Sequence, residues 1–251
     1  MLSNDINIKL AIAIPTYNEA KNVRALTSSI KKYAIKNNTP CTVLFIDDDS
    51  LDGTGKIIDK LIKTKQSELF NVQVLHRTKK DGFGKAYICG FKKLLKQDFT
   101  HILQMDADLS HNPKYITNFI LQVEHKGADF VVGSRYINGG STPDWSVERI
   151  LLSRFGNLYA RLFLGNKIHD YTGGYNLYSM GLLKTINLNS LKAEGYGFLI
   201  ELKYKALKSA VNVQEIPIVF MDRQHGNSKL PKNTILKNIM LVPKIRFTNS
   251  G

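Results

Sequence analysis

The sequence predicts an α/β fold: a mostly parallel sheet flanked by helices, in a single domain. Three observations predict it. Short apolar runs recur, at Leu10–Ile14, Val43–Ile46 and Ile102–Met105. Each ends in a polar cluster, and the clusters lead into stretches with helical patterning. This β-α repetition implies parallel strands with helices on both faces. The chain has 251 residues, enough for one large core of this kind.

The elements follow in order. Strand Lys9–Ile14 leads to helix Ala20–Lys36, and strand Thr42–Ile46 to helix Thr54–Thr64. Strand Val72–Leu75 leads to helix Lys85–Leu95, and strand Ile102–Met105 to a helix from Pro113 to His125. Pro at the first position suits a helix start, because its missing N–H has no partner there anyway. Strand Asp129–Val132 comes next. The longest loop signal, Ile137–Asp144, divides residues 9–136 from residues 137–230. A helix Ser146–Leu164 carries an apolar stripe of Val147, Leu151, Phe155, Leu158 and Leu162. Residues 231–251 form a basic amphipathic tail with Ile235, Leu236, Ile239, Met240, Leu241, Val242, Ile245 and Phe247 among Lys232, Lys237, Lys244 and Arg246. Pro243 should interrupt a helix here, giving a short helix and then a bent or extended tail.

Composition narrows the function classes. No stretch approaches ~18 uninterrupted apolar residues, so no membrane span is expected. Met1–Asp5 lacks the charged and apolar regions of a signal peptide. Cys41 and Cys89 read as reduced packing residues of a cytosolic chain. The net charge of +14 points to an anionic partner: nucleic acid, a phosphorylated substrate or a membrane surface. From Arg223 onward there are six Lys or Arg and no acidic residue, with no recognition motif or interleaved aromatic array, so nucleic acid is not expected. A basic protein that binds anions without catalysis stays as an alternative.

The chemistry concentrates at strand ends. Asp106-Ala107-Asp108 places two carboxylates at i and i+2 where a buried strand stops. Hard divalent cations want such oxygens, and magnesium takes one or two carboxylates plus substrate phosphates. The triplet therefore reads as half a metal site whose other half is a diphosphate. Pro15-Thr16-Tyr17-Asn18-Glu19 and Asp47-Asp48-Asp49-Ser50 occupy equivalent positions after their strands. In open α/β sheets ligands bind outside the carboxyl ends of the strands. Three clusters should then converge on one crevice. Asn18 and Asp52 could equally be helix N-caps. Gly82-Phe83-Gly84-Lys85 could bring backbone amides and an ammonium near phosphate, or be a solvated turn.

These motifs, with Gly133-Ser134-Arg135-Tyr136, Asp170-Tyr171-Thr172-Gly173-Gly174 and Asp222-Arg223-x-x-Gly226-x-Ser228-Lys229, resemble glycosyltransferase family 2 with the GT-A (Rossmann-like) fold, of the dolichol- or polyprenol-phosphate mannose synthase type. The resemblance implies an inverting transfer of mannose from GDP-mannose to a polyprenyl (dolichyl) phosphate, with Mg²⁺ or Mn²⁺ as cofactor. It implies a nucleotide-sugar half at 9–136 and an acceptor half at 137–230. It places the donor on Pro15, Tyr17, Glu19, Ile46, Asp48, Asp106, Ala107, Asp108, Ser110, Arg135, Arg223 and Lys229. Asp106 and Asp108 would meet the metal. Asp108, Arg135 and Arg223 would be catalytic. Arg149, Arg154 and Ser134 would serve the acceptor phosphate.

Two departures from the pattern stand out. Ser110 occupies a position held by Gln in archaeal relatives, and Asn176 one often held by Arg. Arg149 and Arg154 lie five residues apart, about 140° around an unbroken helix, so they should not share a face. The resemblance also implies a place on the cytoplasmic face of a membrane, either directly or through a small membrane-embedded subunit. A UDP-sugar donor such as UDP-glucose, and a hydroxyl acceptor, remain alternatives.

Overall fold

A computed structural model describes residues 8–222 and 234–248. Seven strands form one sheet: β1 (Leu10–Thr16), β2 (Cys41–Asp47), β3 (Phe70–His76), β4 (His101–Gln104), β5 (Phe130–Ser134), β6 (Asn176–Ser179) and β7 (Val213–Pro217). The helices are α1 (Val23–Lys36), α2 (Thr54–Lys65), α3 (Phe83–Leu94), α4 (Ile116–Lys126), α5 (Val147–Leu164), α6 (Met180–Thr185), α7 (Tyr196–Ser209) and α8 (Thr234–Thr248). The strand order is β3-β2-β1-β4-β6-β5-β7.

Alternation along the strands feeds two cores. Leu10, Ile12, Ile14, Val43, Phe45 and Leu103 pack on one face with α1 and α4. Ala11, Ala13, Leu44, Ile46 and Ile102 pack on the other with α3 and α7. Strands buried on both faces read as continuous apolar runs, which is why β1, β2 and β4 stand out in the sequence. Pro113 opens a 3-10 turn, capped by Asn112, that runs into α4.

The sheet is parallel except at β6, which pairs antiparallel with both β4 and β5. This inversion matters for the site. Asn176, the first residue of β6, lies opposite Gln104, the last residue of β4, and beside Val132 of β5. The segment before β6, residues 170–175, therefore arrives at the same sheet edge as the carboxyl ends of the parallel strands.

One expectation about helices needs revision. Pro243 does not break the tail, because α8 runs through it from Thr234 to Thr248. Val242 and Ile245, on either side of the proline, are each only 2% exposed. Their burial beside α5 and α7 offsets the lost backbone hydrogen bond. The tail is thus partly core, while Met240 and Phe247 stay exposed. In α5 the apolar stripe does not face the core. Val147, Leu151, Phe155, Leu158 and Leu162 are all exposed, and the inward face is Asn157, Ala160 and Leu164. No helix among the described residues is long and apolar enough to cross a membrane.

β4 also supplies a prediction about acid stability. His101 is buried between Leu10 and Ser179, and burial pushes its imidazole down to about 4. The unfolded chain takes up this proton near 6.5, so folding loses stability as pH falls from about 6.5 toward about 4, by up to about 3 kcal/mol. Urea midpoints at pH 7 and pH 4.5 should differ more for the wild type than for His101→Phe. Equal differences would remove His101 as a source of the acid sensitivity.

Candidate active site

The β1 and β2 loops are tied together before any ligand arrives. The Asp52 carboxylate accepts from the N–H of Ala20 at 3.0 Å and from the N–H and hydroxyl of Thr54. The Glu19 N–H donates to Thr54 Oγ1 at 2.9 Å. The Asn18 N–H donates to Ser50 Oγ, and the Leu51 N–H donates to Asn18 Oδ1. Asp52 and Asn18 therefore tie the loops together and are not helix N-caps, since Asn22 and Gly53 hold those positions on α1 and α2.

Asp48 is buried at the end of β2 and accepts from Arg77 Nη1 at 2.5 Å. Burial pushes the Asp48 carboxyl up, and the Arg77 guanidinium pulls against that. Arg77 also donates to Asp81. Lys80, from the same segment, sits 3.9 Å from the centre of the Tyr17 ring. Tyr17, Asp48, Arg77 and Lys80 thus form one polar and aromatic corner, with Pro15 half-buried on β1 and Ile46 buried within β2. Sequence reading misses Arg77 and Lys80. Their signal is present: both follow a parallel strand at its carboxyl end.

At the end of β4, the Asp106 side chain is 36% exposed, whereas Asp108 is buried. Asp108 Oδ1 accepts from the Ser110 N–H at 3.1 Å and the Ser110 hydroxyl at 2.5 Å. Ser110 thus orients Asp108. Leu109, between them, takes a left-handed φ of 67°, and Ala107 is buried under the turn. Tyr87 donates to Met105 O at 3.0 Å beneath it. One half-open carboxylate beside one firmly held carboxylate suits a hard cation that keeps waters and takes oxygens from a diphosphate. Among the described residues, no three His, Cys, Asp or Glu side chains converge to hold a metal by themselves.

The third wall comes from β5 and the segment before β6. Arg135 and Asp170 form a buried two-bond pair: Nε to Oδ2 and Nη2 to Oδ1, each 2.8 Å. The Arg135 N–H, Thr172 N–H and Gly173 N–H also donate to Asp170. Lys203 of α7, fully buried, donates to Asp170 O at 2.6 Å. Burial opposes the Asp170 charge, yet Arg135 holds the carboxyl well below its ordinary range. Burial opposes the Arg135 charge too, and Asp170 more than offsets it. Burial brings Lys203 down to about 8 against the pull of Asp170. Two cationic side chains around one carboxylate leave the wall net positive when both are protonated. The wall abuts the Asp106 site. A Cβ on Gly174 would stand 3.4 Å from Asp106 Oδ1, an ordinary contact distance that sets this segment directly against the carboxylate.

Asn157 of α5 holds the same segment. It donates to Thr172 Oγ1 at 3.1 Å and accepts from the Tyr171 N–H at 2.7 Å. Sequence reading misses Asn157 because a polar residue inside an apolar helix carries no signal of its own. Sequence reading allows Asp170 to orient a basic residue or the sugar, but does not identify that residue as Arg135, 35 residues away.

The remaining assigned residues spread outward. Ser134 is fully buried at the end of β5. Arg149 stacks 3.9 Å from the Trp145 ring centre and donates to Asp222 at 3.1 Å. Arg154 is exposed on the same unbroken helix, near Tyr136. Lys85 is largely exposed beside Asp81, at a cleft between the start of α3 and residues 191–195. Arg223 and Lys229 lie outside the described residues.

Comparison with known proteins agrees with this geometry. The family model for glycosyl transferase family 2 matches residues 11–186. The chain is 37% identical over 224 residues to a polyprenol monophosphomannose synthase of Mycolicibacterium smegmatis, covering 89% of this chain and 82% of that one. It is 37% identical over 223 residues to an undecaprenyl-phosphate mannosyltransferase of Micrococcus luteus, covering 89% and 88%. Among solved structures, glucosyl-3-phosphoglycerate synthase from Mycobacterium tuberculosis, in complex with Mn²⁺ and UDP-glucose, superposes with a TM-score of 0.65 at 16% identity, covering 96% of this chain and 79% of that one. That likeness concerns the fold, and the expected GT-A architecture is the one observed. The matched region and the relatives' identity together place the chain in glycosyl transferase family 2.

Proposed function

We propose that this enzyme transfers mannose from GDP-mannose to a polyprenyl phosphate with inversion, releasing GDP. The observation that carries the proposal is one sheet edge where the Asp106 carboxylate of the triplet lies against the segment held by Arg135, Asp170 and Lys203. The relatives' names support mannose and a polyprenyl phosphate as the transferred group and acceptor.

Pro15, Tyr17, Glu19, Ile46 and Asp48 would receive the nucleoside, with Arg77 fixing Asp48. Asp106 and Asp108, the latter oriented by Ser110, would hold Mg²⁺ or Mn²⁺. When bound, such a cation neutralises developing charge on a leaving diphosphate. A neighbour in the same fold class binds Mn²⁺, which supports this use of the pair. A phosphate acceptor needs no general base, since it is already anionic with a second pKa of about 6. The demand is to hold two anions close together. Arg135, fixed by Asp170, and Ser134 would shape the phosphate pocket. Arg149, Arg154, Arg223 and Lys229 would supply the remaining positive field.

A lipid acceptor requires contact with a bilayer. We assign that contact to the outward face of α5, with Leu151, Phe155, Leu158 and Leu162 exposed on one face and Asn157 touching the site on the other. Shallow insertion of such side chains together with the net charge of +14 suits an anionic surface. Vesicle flotation tests this. Replacing Leu151, Phe155 and Leu162 with Ser should release the protein from anionic vesicles while removal of residues 249–251 should not. Equal flotation of the triple variant would place the contact elsewhere. A wild type that stays off vesicles would favour a membrane-embedded subunit as the partner of this face.

The chemistry is tested by a donor and acceptor screen with radiolabelled nucleotide sugars, short polyprenyl phosphate and free polyprenol, counting lipid-phase product. GDP-mannose with the phosphate should give an acid-labile product, and free polyprenol should not substitute. Preference for a UDP-sugar would replace the donor. Efficient use of the free alcohol or a soluble saccharide would overturn the mechanism.

A further inference from the structure

His111 lies five residues beyond Asp106 and is only 1% exposed. Its Nδ1 accepts the Asp106 N–H at 3.0 Å. The preceding amide, of Met105, still donates to Ala13 O on β1. Asp106 is therefore the residue at which the imidazole takes over from the sheet as acceptor. The ring stacks on Tyr175 with centroids 4.7 Å apart and meets the edge of Phe220 at 5.4 Å. Tyr175 is itself anchored by its hydroxyl on Asn112 O at 3.1 Å. The imidazole is thus clamped between Tyr175, just before β6, and the turn it closes.

The other ring nitrogen shows what this arrangement costs. With Nδ1 accepting, a neutral ring carries its proton on Nε2. Nε2 is buried and has no hydrogen-bond partner among the described residues. A buried donor left unsatisfied is destabilising. Phenylalanine would keep the stack on Tyr175 and carry no such donor. A histidine kept at a stability cost marks a positional requirement.

We propose that His111 is the positioning residue of the Asp106-Ala107-Asp108 triplet: its Nδ1 fixes the Asp106 backbone, and so the direction in which that carboxylate leaves the sheet. The proposal rests on the reading of the triplet as a divalent-cation site completed by a nucleoside diphosphate. Ser110 performs the parallel task for Asp108 through its side chain. The two carboxylates are then held by residues one position apart, and the turn between them tolerates the left-handed Leu109 because both ends are fixed.

Two variants separate positioning from packing. His111→Phe keeps the ring and loses the acceptor. His111→Asn loses the ring and keeps an acceptor at the δ position. Mn²⁺ affinity in the presence of GDP, read by electron paramagnetic resonance, should weaken about 10–100-fold in His111→Phe, the range expected for partners that orient metal ligands. The melting temperature of His111→Phe should stay close to wild type. His111→Asn should recover much of the Mn²⁺ affinity yet melt lower. Nitrogen NMR of the metal-free wild type should show the Nε2–H tautomer. Mn²⁺ affinity that follows melting temperature across the variants would assign His111 to packing and overturn the proposal. So would wild-type affinity in His111→Phe. A wild type that fails to bind Mn²⁺ with GDP, yet shows the expected tautomer, would overturn the metal reading and this inference with it. An Nδ1–H tautomer would overturn the inference alone.

Discussion

Asp108→Asn is expected to reduce mannose transfer by about a thousandfold or more while leaving the fold intact. The substitution removes one negative charge and almost no volume. The amide oxygen of the substituted side chain can still accept from the Ser110 N–H and hydroxyl, which in the wild type reach Asp108 Oδ1 at 3.1 and 2.5 Å. Local geometry should therefore persist. What is lost is half of the anionic pair proposed to hold the cation against the donor diphosphate. Such electrophilic assistance is worth several kcal/mol, and about 4 kcal/mol corresponds to a factor near a thousand. The measurement is lipid-phase product formation at saturating Mg²⁺ or Mn²⁺, with circular dichroism and melting temperature as controls. Transfer at the wild-type rate by a folded Asp108→Asn would show the site to be misassigned.

The parts of this site that sequence reveals share one property: their signals are local. Leu10–Ile14, Val43–Ile46 and Ile102–Met105 are buried on both faces, so each reads as an apolar run, and the polar residues after it are conspicuous. Parallel topology then brings their ends together without further information. β6 defies this logic. Asn176–Ser179 is four residues long and half polar, and it runs against its neighbours. Its direction is what carries Asp170 to Asp106. Lys203 is equally silent, since a lysine on a helix reads as solvated until α7 is seen buried along most of its length. The stripe on α5 shows the limit of periodicity. Amphipathic spacing reveals two faces but not which one is covered. Here Asn157 and Ala160 turn inward, because the 170–175 segment needs hydrogen bonds and close approach more than bulk. Pro243 fails for the opposite reason: a strong local rule is overridden by the burial of Val242 and Ile245.

The pair that sequence could not join should dominate stability. Asp170→Asn is expected to destabilise the protein by about 3–5 kcal/mol, because removing one partner of a buried ion pair leaves the other charge uncompensated. The case is sharper here, since Arg135 is paired with this carboxylate, and Lys203, bonded to the Asp170 backbone carbonyl, lies within its electrostatic reach. Asn keeps the shape and one acceptor oxygen, so the Thr172 and Gly173 N–H groups retain a partner. The loss should therefore be mainly electrostatic. Lys203 supplies the check. Burial already brings it down to about 8, so its deprotonation relieves a buried charge, and its contribution to stability rises with pH from about 8 to about 10.4. Without Asp170 that relief should begin at lower pH, and Lys203→Met should recover part of the loss. Urea unfolding of the wild type, Asp170→Asn, Lys203→Met and the double variant gives the coupling directly. Strictly additive effects would mean that Lys203 is not coupled to the Asp170 carboxylate. Transfer should fall together with stability, because the segment that Asp170 organises ends at Gly174, against the Asp106 carboxylate.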